Sequence, residues 1–197
     1  MESATKPGEA TATNGATATN GATATAETFD VYRPADGSVM RTVEITSPAK
    51  VAETVAAARA AQKEWEAIGF GGRKVWLERL RDWIFDNQDH LDEVMQQETG
   101  KVRADAALEA FYCVDAINFW NDQGPKWLAD EVVTPHVPIL RTKRHKIVYR
   151  PYGVVGLISP WNFPVILSLG DAIPALVAGN AAVVKPSEIT PLTLMEI

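Results

Sequence analysis

Three polar side chains near the C-terminal end of the sequence have types and spacing that could do chemistry. Asn162 lies in the segment PWNFP. Its neutral amide has two N–H donors, which can stabilise a developing oxyanion without taking up a proton. Lys185 and Glu188 lie in the segment KPSE and offer a cation and a hydrogen-bond acceptor. These residue types together predict a site for a polar ligand.

Glu188 also bears on which ligand such a site would take. A carboxylate at the end of a strand can accept hydrogen bonds from the two hydroxyls of a ribose, whereas it repels a phosphate at the 2′ position. The sequence therefore predicts NAD, with NADP less favoured. Ordinary alternatives remain, because Asn162 alone is typical of a loop or helix cap, and the spacing of Lys185 and Glu188 alone is typical of a surface ion pair.

The elements that must position these side chains form one β-α-β unit. The segment GVVGLIS at 153–159 and the segment AAVV at 181–184 have the small and β-branched composition of buried strands. Between them, VILSLGDAIPALVAGN at 165–180 is apolar enough for a largely buried helix. Such a crossover makes the strands parallel, so their carboxyl ends lie at one edge of the sheet. We expect the loops 159–164 and 185–188 to face one crevice.

The preceding part of the chain predicts a hairpin at 29–45 followed by a layer of helices. Ser47 before Pro48 is a helix-start signal, and Gly100 is a helix-end signal. We expect helices at 48–66, 73–87, 88–99 and 103–120. Apolar residues at helical spacing predict the packing faces; these are Val75, Trp76, Leu80, Trp83 and Ile84 in the second helix and Leu108, Phe111, Tyr112 and Phe119 in the fourth. Trp65, Trp76 and Trp83 are expected to pack in the core.

The stretch 131–150 is rich in β-branched residues and contains Pro135 and Pro138, which is typical of an edge hairpin. Its basic run at 141–146 could suggest nucleic-acid binding. Exposed strands often carry such charge to prevent edge pairing, and the net charge of −6 gives no general attraction to nucleic acid. We therefore expect no nucleic-acid partner.

The composition also limits which other kinds of site and protein class are expected. The only cysteine is Cys113 and there are three histidines, so a disulfide is impossible and a metal site is not expected. No apolar run approaches the roughly 20 residues of a membrane helix, and no signal pattern precedes the fold. We expect a cytoplasmic protein without membrane contacts. Residues 1–27 are Ala- and Thr-rich and are expected to form a disordered tail.

The runs GVVGLISPWNFP and PALVAGNAAVVKPSEITP closely resemble the aldehyde dehydrogenase superfamily, which is NAD(P)-dependent. The segments ETGK at 98–101 and RHKIVYRPYG at 144–153 fit its N-terminal region in the same order. The resemblance runs from about Phe29 to the last residue. It implies an α/β fold with an N-terminal helical layer, the start of a Rossmann-like parallel sheet, and a hairpin at about 131–150 of the type that joins subunits into homo-oligomers.

The resemblance also implies the chemistry. In this family a cysteine thiolate attacks a small aldehyde, hydride passes to the nicotinamide, and a glutamate activates the water that releases a carboxylic acid. By motif position Asn162 is the oxyanion-stabilising amide, and Lys185 and Glu188 are the adenine-ribose contacts. Further cofactor-binding positions are Ile158, Ser159, Trp161 and Ser187.

The family places its nucleophile and its general base well beyond KPSE, whereas this sequence ends at Ile197. Cys113 lies among apolar residues of the fourth helix and is expected to be a small buried residue. We expect residues 28–197 to be a C-terminally incomplete NAD-binding domain with no activity of its own. The alternative is a shortened, non-catalytic protein that retains part of a dinucleotide groove or pairs with full-length subunits. The aldehyde cannot be predicted, and ETGK is interpreted only as a helix end.

Overall fold

The computed structural model describes residues 27–197, so the tail predicted at 1–27 lies outside the described residues except for Glu27. The described part begins with the expected hairpin. Strand β1 (Thr28–Tyr32) pairs antiparallel with β2 (Val39–Glu44). Gly37 adopts a positive φ of 71° in the connecting turn, which a residue without a Cβ tolerates best.

Four helices follow the hairpin and form the predicted layer: α1 (Pro48–Ala67), α2 (Gly69–Asp86), α3 (Gln88–Thr99) and α4 (Arg103–Trp127). The side chain of Ser47 caps α1, because its Oγ accepts a hydrogen bond of 3.2 Å from the Lys50 amide. Gly100 ends α3 with a left-handed φ of 75°. Both of these boundary signals are confirmed.

Helix α4 runs on to Trp127 rather than ending near Trp120 as predicted. Its last turns stay helical although Pro125 lies inside them, because they pack against a later helix. Gly124 is buried there, and a Cβ at this position would come within 2.5 Å of a Val177 side-chain carbon. This close approach of two helices is a tertiary contact that the local sequence does not display.

The predicted packing faces of α2 and α4 are correct at Ile84, which is fully buried, and at Leu80, which packs against the core, and wrong at the other residues. In α2 the buried apolar residues are Leu77 and Ile84, while Trp76 and Trp83 are 55% and 39% exposed. In α4 the buried apolar residues are small except for one isoleucine and lie beside the buried polar residues Glu109 and Asn121, whereas the predicted large apolar residues are exposed. The buried set is Ala106, Ala110, Cys113, Ala116 and Ile117; the exposed set is Leu108, Phe111, Tyr112 and Phe119. Small side chains let α4 approach α2, α3 and the β-α-β unit closely.

The predicted hairpin at 131–150 is present but short. Strand β3 (Glu131–Val133) pairs antiparallel with β4 (His145–Ile147), and a 3-10 helix (Pro138–Thr142) lies between them. The two prolines that precede and open this helix keep the segment out of the ladder. The basic run is engaged locally, since Lys146 pairs with Asp130 and Arg141 Nε donates to the Pro135 carbonyl at 3.3 Å.

The β-α-β unit forms as predicted. Strand β5 (Val154–Ile158), helix α5 (Ile166–Val177) and strand β6 (Ala181–Lys185) follow one another, and Val154 to Ile158 pair in parallel with Ala181 to Lys185. A last helix, α6 (Leu192–Glu196), follows the loop after β6. The strands are less buried than expected, because the described sheet has two strands and leaves Gly156 and Ile158 exposed.

The hydrophobic core lies between the helical layer and α5. Its fully buried side chains come from α2, α3, α4 and α5 and include Ile84, Leu91, Met95, Ile117 and Ile173. Polar contacts anchor α5 to this frame, since Arg73 Nε donates to the Val177 carbonyl at 3.1 Å and Trp65 Nε1 to the Leu176 carbonyl at 2.9 Å. Trp65 thus packs inward as expected of a core tryptophan.

Candidate functional site

The loops that follow the two parallel strands lie side by side. Loop 159–165 follows β5 and loop 186–191 follows β6. The Ser159 amide donates to the Lys185 carbonyl at 3.1 Å, which extends the strand ladder to the point where both loops begin. Further out, the Thr190 hydroxyl donates to the Trp161 carbonyl at 3.0 Å. The prediction that the two loops share one edge of the sheet is confirmed.

Asn162 lies in the first loop, next to Trp161, whose carbonyl is held by Thr190, and ahead of Ile166, where α5 begins. Its side chain is exposed. Trp161 and Phe163 on either side are 57% and 43% exposed. An exposed neutral amide between two exposed aromatic rings can donate hydrogen bonds to a ligand that enters from solvent.

Lys185 and Glu188 form an ion pair at the start of the second loop, with Nζ and Oε2 2.9 Å apart. Both side chains are mostly exposed, at 60% and 67%. The hydrogen bond from Lys185 lowers the pKa of the Glu188 carboxyl below its ordinary value of 4.5, so this group is ionised at neutral pH. The pair therefore presents a cation and an anion together, with little net charge between them.

The other predicted cofactor residues divide into exposed and buried groups. Ile158 is 86% exposed and, with Trp161, offers apolar surface on the edge that carries the loops. Ser159 and Ser187 are each 6% exposed. The Ser187 Oγ accepts from the Ile189 amide at 3.2 Å and so shapes its own loop. Within residues 27–197 the buried Ser159 hydroxyl has no hydrogen-bond partner.

A cavity of about 650 Å³ opens beside the second loop, a position that the sequence does not predict. It lies between the β1–β2 hairpin and the chain after β6. Its lining is mostly apolar and includes Phe29, Val43, Ile45, Lys185, Glu188 and Met195. Because the hairpin and the second loop are far apart in sequence, local patterns give no sign of it. The cavity adjoins the Lys185–Glu188 pair and does not include Asn162 among its lining residues.

Two buried glutamates that the sequence interpretation overlooked support the loops from inside. Glu109 Oε2 accepts from the amides of Val165 and Ile166 at 2.9 and 3.2 Å. Glu98 accepts from the amides of Leu192 and Thr193 at 2.7 and 2.9 Å. Desolvation by burial raises the pKa of the Glu98 carboxyl above its ordinary value of 4.5. One signal was available, because Glu109 lies between Ala106 and Cys113 on the buried face of α4.

Cys113 is fully buried, as predicted, with its Sγ 3.9 Å from the Val165 carbonyl oxygen. Burial, together with the nearby Glu109, raises the pKa of its thiol to about 12. A thiol nucleophile must be ionised and accessible. Cys113 is neither, so it has no role as the nucleophile of the site.

The described range from Glu27 to Ile197 also bears on metal sites and membrane-spanning helices. No group of three or more His, Cys, Asp or Glu side chains in this range is arranged to hold a metal ion. In the same range, no helix has the length and apolarity needed to cross a bilayer.

Comparisons with known sequences and structures match this chain to aldehyde dehydrogenases. The sequence model described as Aldehyde dehydrogenase family matches residues 22–197. A protein of Mycolicibacterium smegmatis, provisionally named succinate-semialdehyde dehydrogenase [NADP(+)], is 40% identical over 156 residues. That alignment covers 79% of this chain and 30% of the relative, so the chain spans about a third of the length of the curated relative.

Solved structures agree with this match. An aldehyde dehydrogenase from Brucella melitensis superposes with a TM-score of 0.80 at 32% identity, covering 86% of this chain and 34% of that one. An NAD-dependent benzaldehyde dehydrogenase from Corynebacterium glutamicum gives a TM-score of 0.78 at 30% identity, covering 85% and 36%. The Mycolicibacterium relative is thus named for NADP(+) and the Corynebacterium enzyme for NAD.

Proposed function

Because the chain belongs to the aldehyde dehydrogenase family, we propose that its paired loops form part of the NAD(P) and aldehyde site of an enzyme that oxidises an aldehyde to a carboxylic acid. The observation that carries the proposal is the joining of loops 159–165 and 186–191 by the Ser159–Lys185 and Thr190–Trp161 hydrogen bonds. These bonds bring Asn162 and the Lys185–Glu188 pair to the same edge of the sheet, which supports the proposed roles of Asn162 in binding an oxyanion and of the pair in binding a ribose.

Asn162 has the role of the oxyanion-binding amide. Its exposed N–H donors stabilise negative charge on the carbonyl oxygen of the aldehyde without exchanging a proton. Loop 159–165 is tied at Trp161, so the amide is presented from a fixed backbone. Preorganised donors of this kind favour the charged state because they need no reorganisation when the charge develops.

The residues fit a dinucleotide at several points. The Lys185–Glu188 pair offers donors and acceptors to ribose hydroxyls, and it stands at the mouth of an apolar cavity of about 650 Å³. Ile158 and Trp161 offer apolar surface to a planar ring. The buried Ser159 hydroxyl supplies a polar group that lacks a partner within the described residues. When bound, the dinucleotide supplies the hydride acceptor.

Glu188 sets the choice between NAD and NADP in this proposal. The sequence argument for NAD rests on repulsion of a 2′-phosphate by its carboxylate. Lys185 lies 2.9 Å away and offsets that repulsion, and the Mycolicibacterium relative carries NADP(+) in its name. The NAD preference is therefore not supported by that relative, and we assign the site to NAD(P), with the balance between Lys185 and Glu188 deciding the preference.

The thiol nucleophile of the reaction is not Cys113 in this proposal, since that side chain is fully buried and its pKa is about 12. The 197-residue chain by itself is then a binding unit without turnover. Assembly of the complete protein into homo-oligomers through the β3–β4 hairpin belongs to the same proposal. Exposed apolar side chains such as Val132 and Ile139, at 69% and 76%, support it.

The test uses two preparations, the 197-residue chain and the product of the complete gene. Calorimetric titration should detect binding of NAD or NADP to both preparations. The complete gene product should reduce the dinucleotide when an aldehyde is added, with succinate semialdehyde tried first because a relative bears that name. Binding without turnover in the complete product would favour a non-catalytic protein that keeps the groove. Absence of binding in both would overturn the proposal.

A further inference from the structure

Two carboxylates lie beneath the paired loops without contact with solvent. Glu98 in α3 is 1% exposed and Glu109 in α4 is 0% exposed. Burial of a charged group is unfavourable unless hydrogen bonds or an opposite charge compensate for the lost water. The compensating groups therefore show what these residues hold in place. We call Glu98 and Glu109 the buried carboxylate pair.

Glu109 holds the end of the first loop. Its Oε2 accepts from the Val165 and Ile166 amides at 2.9 and 3.2 Å, which are free donors at the start of α5. No side chain of the local sequence caps this helix. The cap is supplied instead from another helix, 56 residues earlier in the chain. Glu109 thereby fixes where loop 159–165 ends and α5 begins.

Lys101 connects Glu109 to the neighbour of Asn162. Its ammonium pairs with Glu109 Oε1, and its side chain is only 16% exposed. The same ammonium lies 4.0 Å from the centroid of the Phe163 ring. A cation over an aromatic face is attracted to it, more strongly when water is excluded. One cation therefore links the buried carboxylate to the residue that follows Asn162.

Glu98 holds the second loop in a corresponding way. Its two carboxylate oxygens accept from the Leu192 and Thr193 amides at 2.7 and 2.9 Å, and the Thr193 hydroxyl also donates to it. The first of these donors lies two residues after Thr190, which binds the Trp161 carbonyl. Glu98 thus fixes the end of loop 186–191, which begins just after Lys185 and contains Glu188.

We propose that Glu98, Lys101 and Glu109 are positioning residues for the two loops of the proposed NAD(P) and aldehyde site, Lys101 and Glu109 acting on loop 159–165 through Phe163 and α5, and Glu98 acting on loop 186–191 through α6. The inference rests on the proposed function. It gives the ETGK segment, which holds Glu98 and Lys101, a role beyond ending a helix. The Thr190–Trp161 bond joins the loops, but each set of positioning residues contacts one loop directly, so its loss should change chiefly the kinetic constant that depends on that loop.

The test measures kcat and the cofactor KM of the complete gene product. Lys101→Met removes the charge that joins Glu109 to Phe163, and it should lower kcat about tenfold with little change in the cofactor KM. Lys101→Arg keeps the charge and the ring contact and should restore most of the activity. Glu98→Gln replaces one of two acceptor oxygens by a donor amide, and it should raise the cofactor KM about tenfold with little change in kcat.

Matched controls lie on exposed surfaces. Glu93→Gln changes an exposed carboxylate of α3, and Lys63→Met changes an exposed lysine of α1, so neither should alter kcat or the cofactor KM. If Glu98→Gln does not fold, Thr193→Ala removes one donor to Glu98 and should raise the cofactor KM in the same direction. Hydrogen exchange should also speed up at the Leu192 and Thr193 amides in Glu98→Gln, with Val165 and Ile166 unchanged.

The outcomes separate the two proposals. An active wild-type protein in which Lys101→Met and Glu98→Gln lower only the thermal stability would overturn the positioning role and leave the proposed function intact. An equal loss of kcat and an equal rise in cofactor KM in both variants would contradict the assignment of Lys101 to the first loop and of Glu98 to the second. A wild-type protein that binds neither NAD nor NADP would instead overturn the proposed function.

Discussion

The Thr190 hydroxyl donates a hydrogen bond of 3.0 Å to the backbone carbonyl of Trp161, which joins the loop after β6 to the loop after β5. Thr190 is only 2% exposed, so water does not readily replace this bond. The bond couples the segment that carries Asn162 to the segment that carries Lys185 and Glu188. The proposed site depends on this bond because the bond holds the two loops next to each other.

Replacement of Thr190 by valine keeps the volume but leaves the Trp161 carbonyl without its partner. We expect the free energy of unfolding to fall by about 1 kcal/mol, the usual net contribution of one hydrogen bond. NAD(P) should also bind more weakly to the 197-residue chain. Urea unfolding and calorimetric titration measure the two effects. Thr54→Val is the control, because Thr54 makes a similar hydroxyl-to-carbonyl bond at an exposed helix position.

Asn162→Ala should remove the proposed oxyanion donor. In the product of the complete gene, we expect kcat to fall by about 10²-fold or more, as for loss of one preorganised donor. The affinity for NAD(P), measured by titration, should change little because the Lys185–Glu188 pair is untouched. An unchanged kcat would exclude Asn162 from the mechanism.

Glu188→Gln should shift the cofactor preference toward NADP. The variant removes the carboxylate and leaves Lys185 free to pair with a 2′-phosphate. The ratio of the dissociation constants for NADP and NAD should fall by about tenfold, which corresponds to about 1.4 kcal/mol. Lys185→Met should move the ratio in the opposite direction. Because the pKa of Glu188 lies below 4.5, its carboxylate stays ionised across neutral pH and adds no pH dependence of its own to the wild-type ratio. A ratio that is the same in all three proteins would contradict this role.

The raised pKa of Glu98 predicts a specific dependence of stability on pH. Burial raises its folded-state pKa above 4.5, with Glu109 nearby acting in the same direction. The folded state therefore binds the proton more tightly than the unfolded state. The stabilisation is fully present below pH 4.5 and is lost as pH rises through the folded-state pKa. Unfolding free energies measured against pH should show this decline in the wild type and not in Glu98→Gln. Parallel curves would contradict it.

The β-α-β unit and the adjacency of its loops could be predicted because they follow from a local apolar pattern and a general rule of chain handedness. The start of α1 at Ser47–Pro48 and the end of α3 at Gly100 could also be predicted, because their sequence signals are local. The packing faces of α2 and α4 could not be predicted in this way. Both faces of α4 carry apolar residues, and the choice between them depends on neighbours such as Val177, which meets Gly124.

The candidate site likewise contains residues that the local sequence could predict and residues that it could not. Asn162, Lys185 and Glu188 were accessible to sequence reasoning because Lys185 ends a strand and the other two lie in the loops that directly follow the strands. The buried carboxylate pair was not, since Glu98 meets its partners 94 and 95 residues away and Glu109 meets its partners 56 and 57 residues away. The cavity beside Lys185 needs the N-terminal hairpin as its second wall. Long-range contacts of this kind leave little trace in local spacing.

The most direct measurement is a titration of the isotopically labelled 197-residue chain with NAD and with NADP, followed by the backbone amide resonances. If loops 159–165 and 186–191 form one dinucleotide site, the resonances of both loops should shift together with a single dissociation constant. Resonances of the β3–β4 hairpin should stay in place. Shifts confined to one loop, or two different dissociation constants, would contradict the shared site.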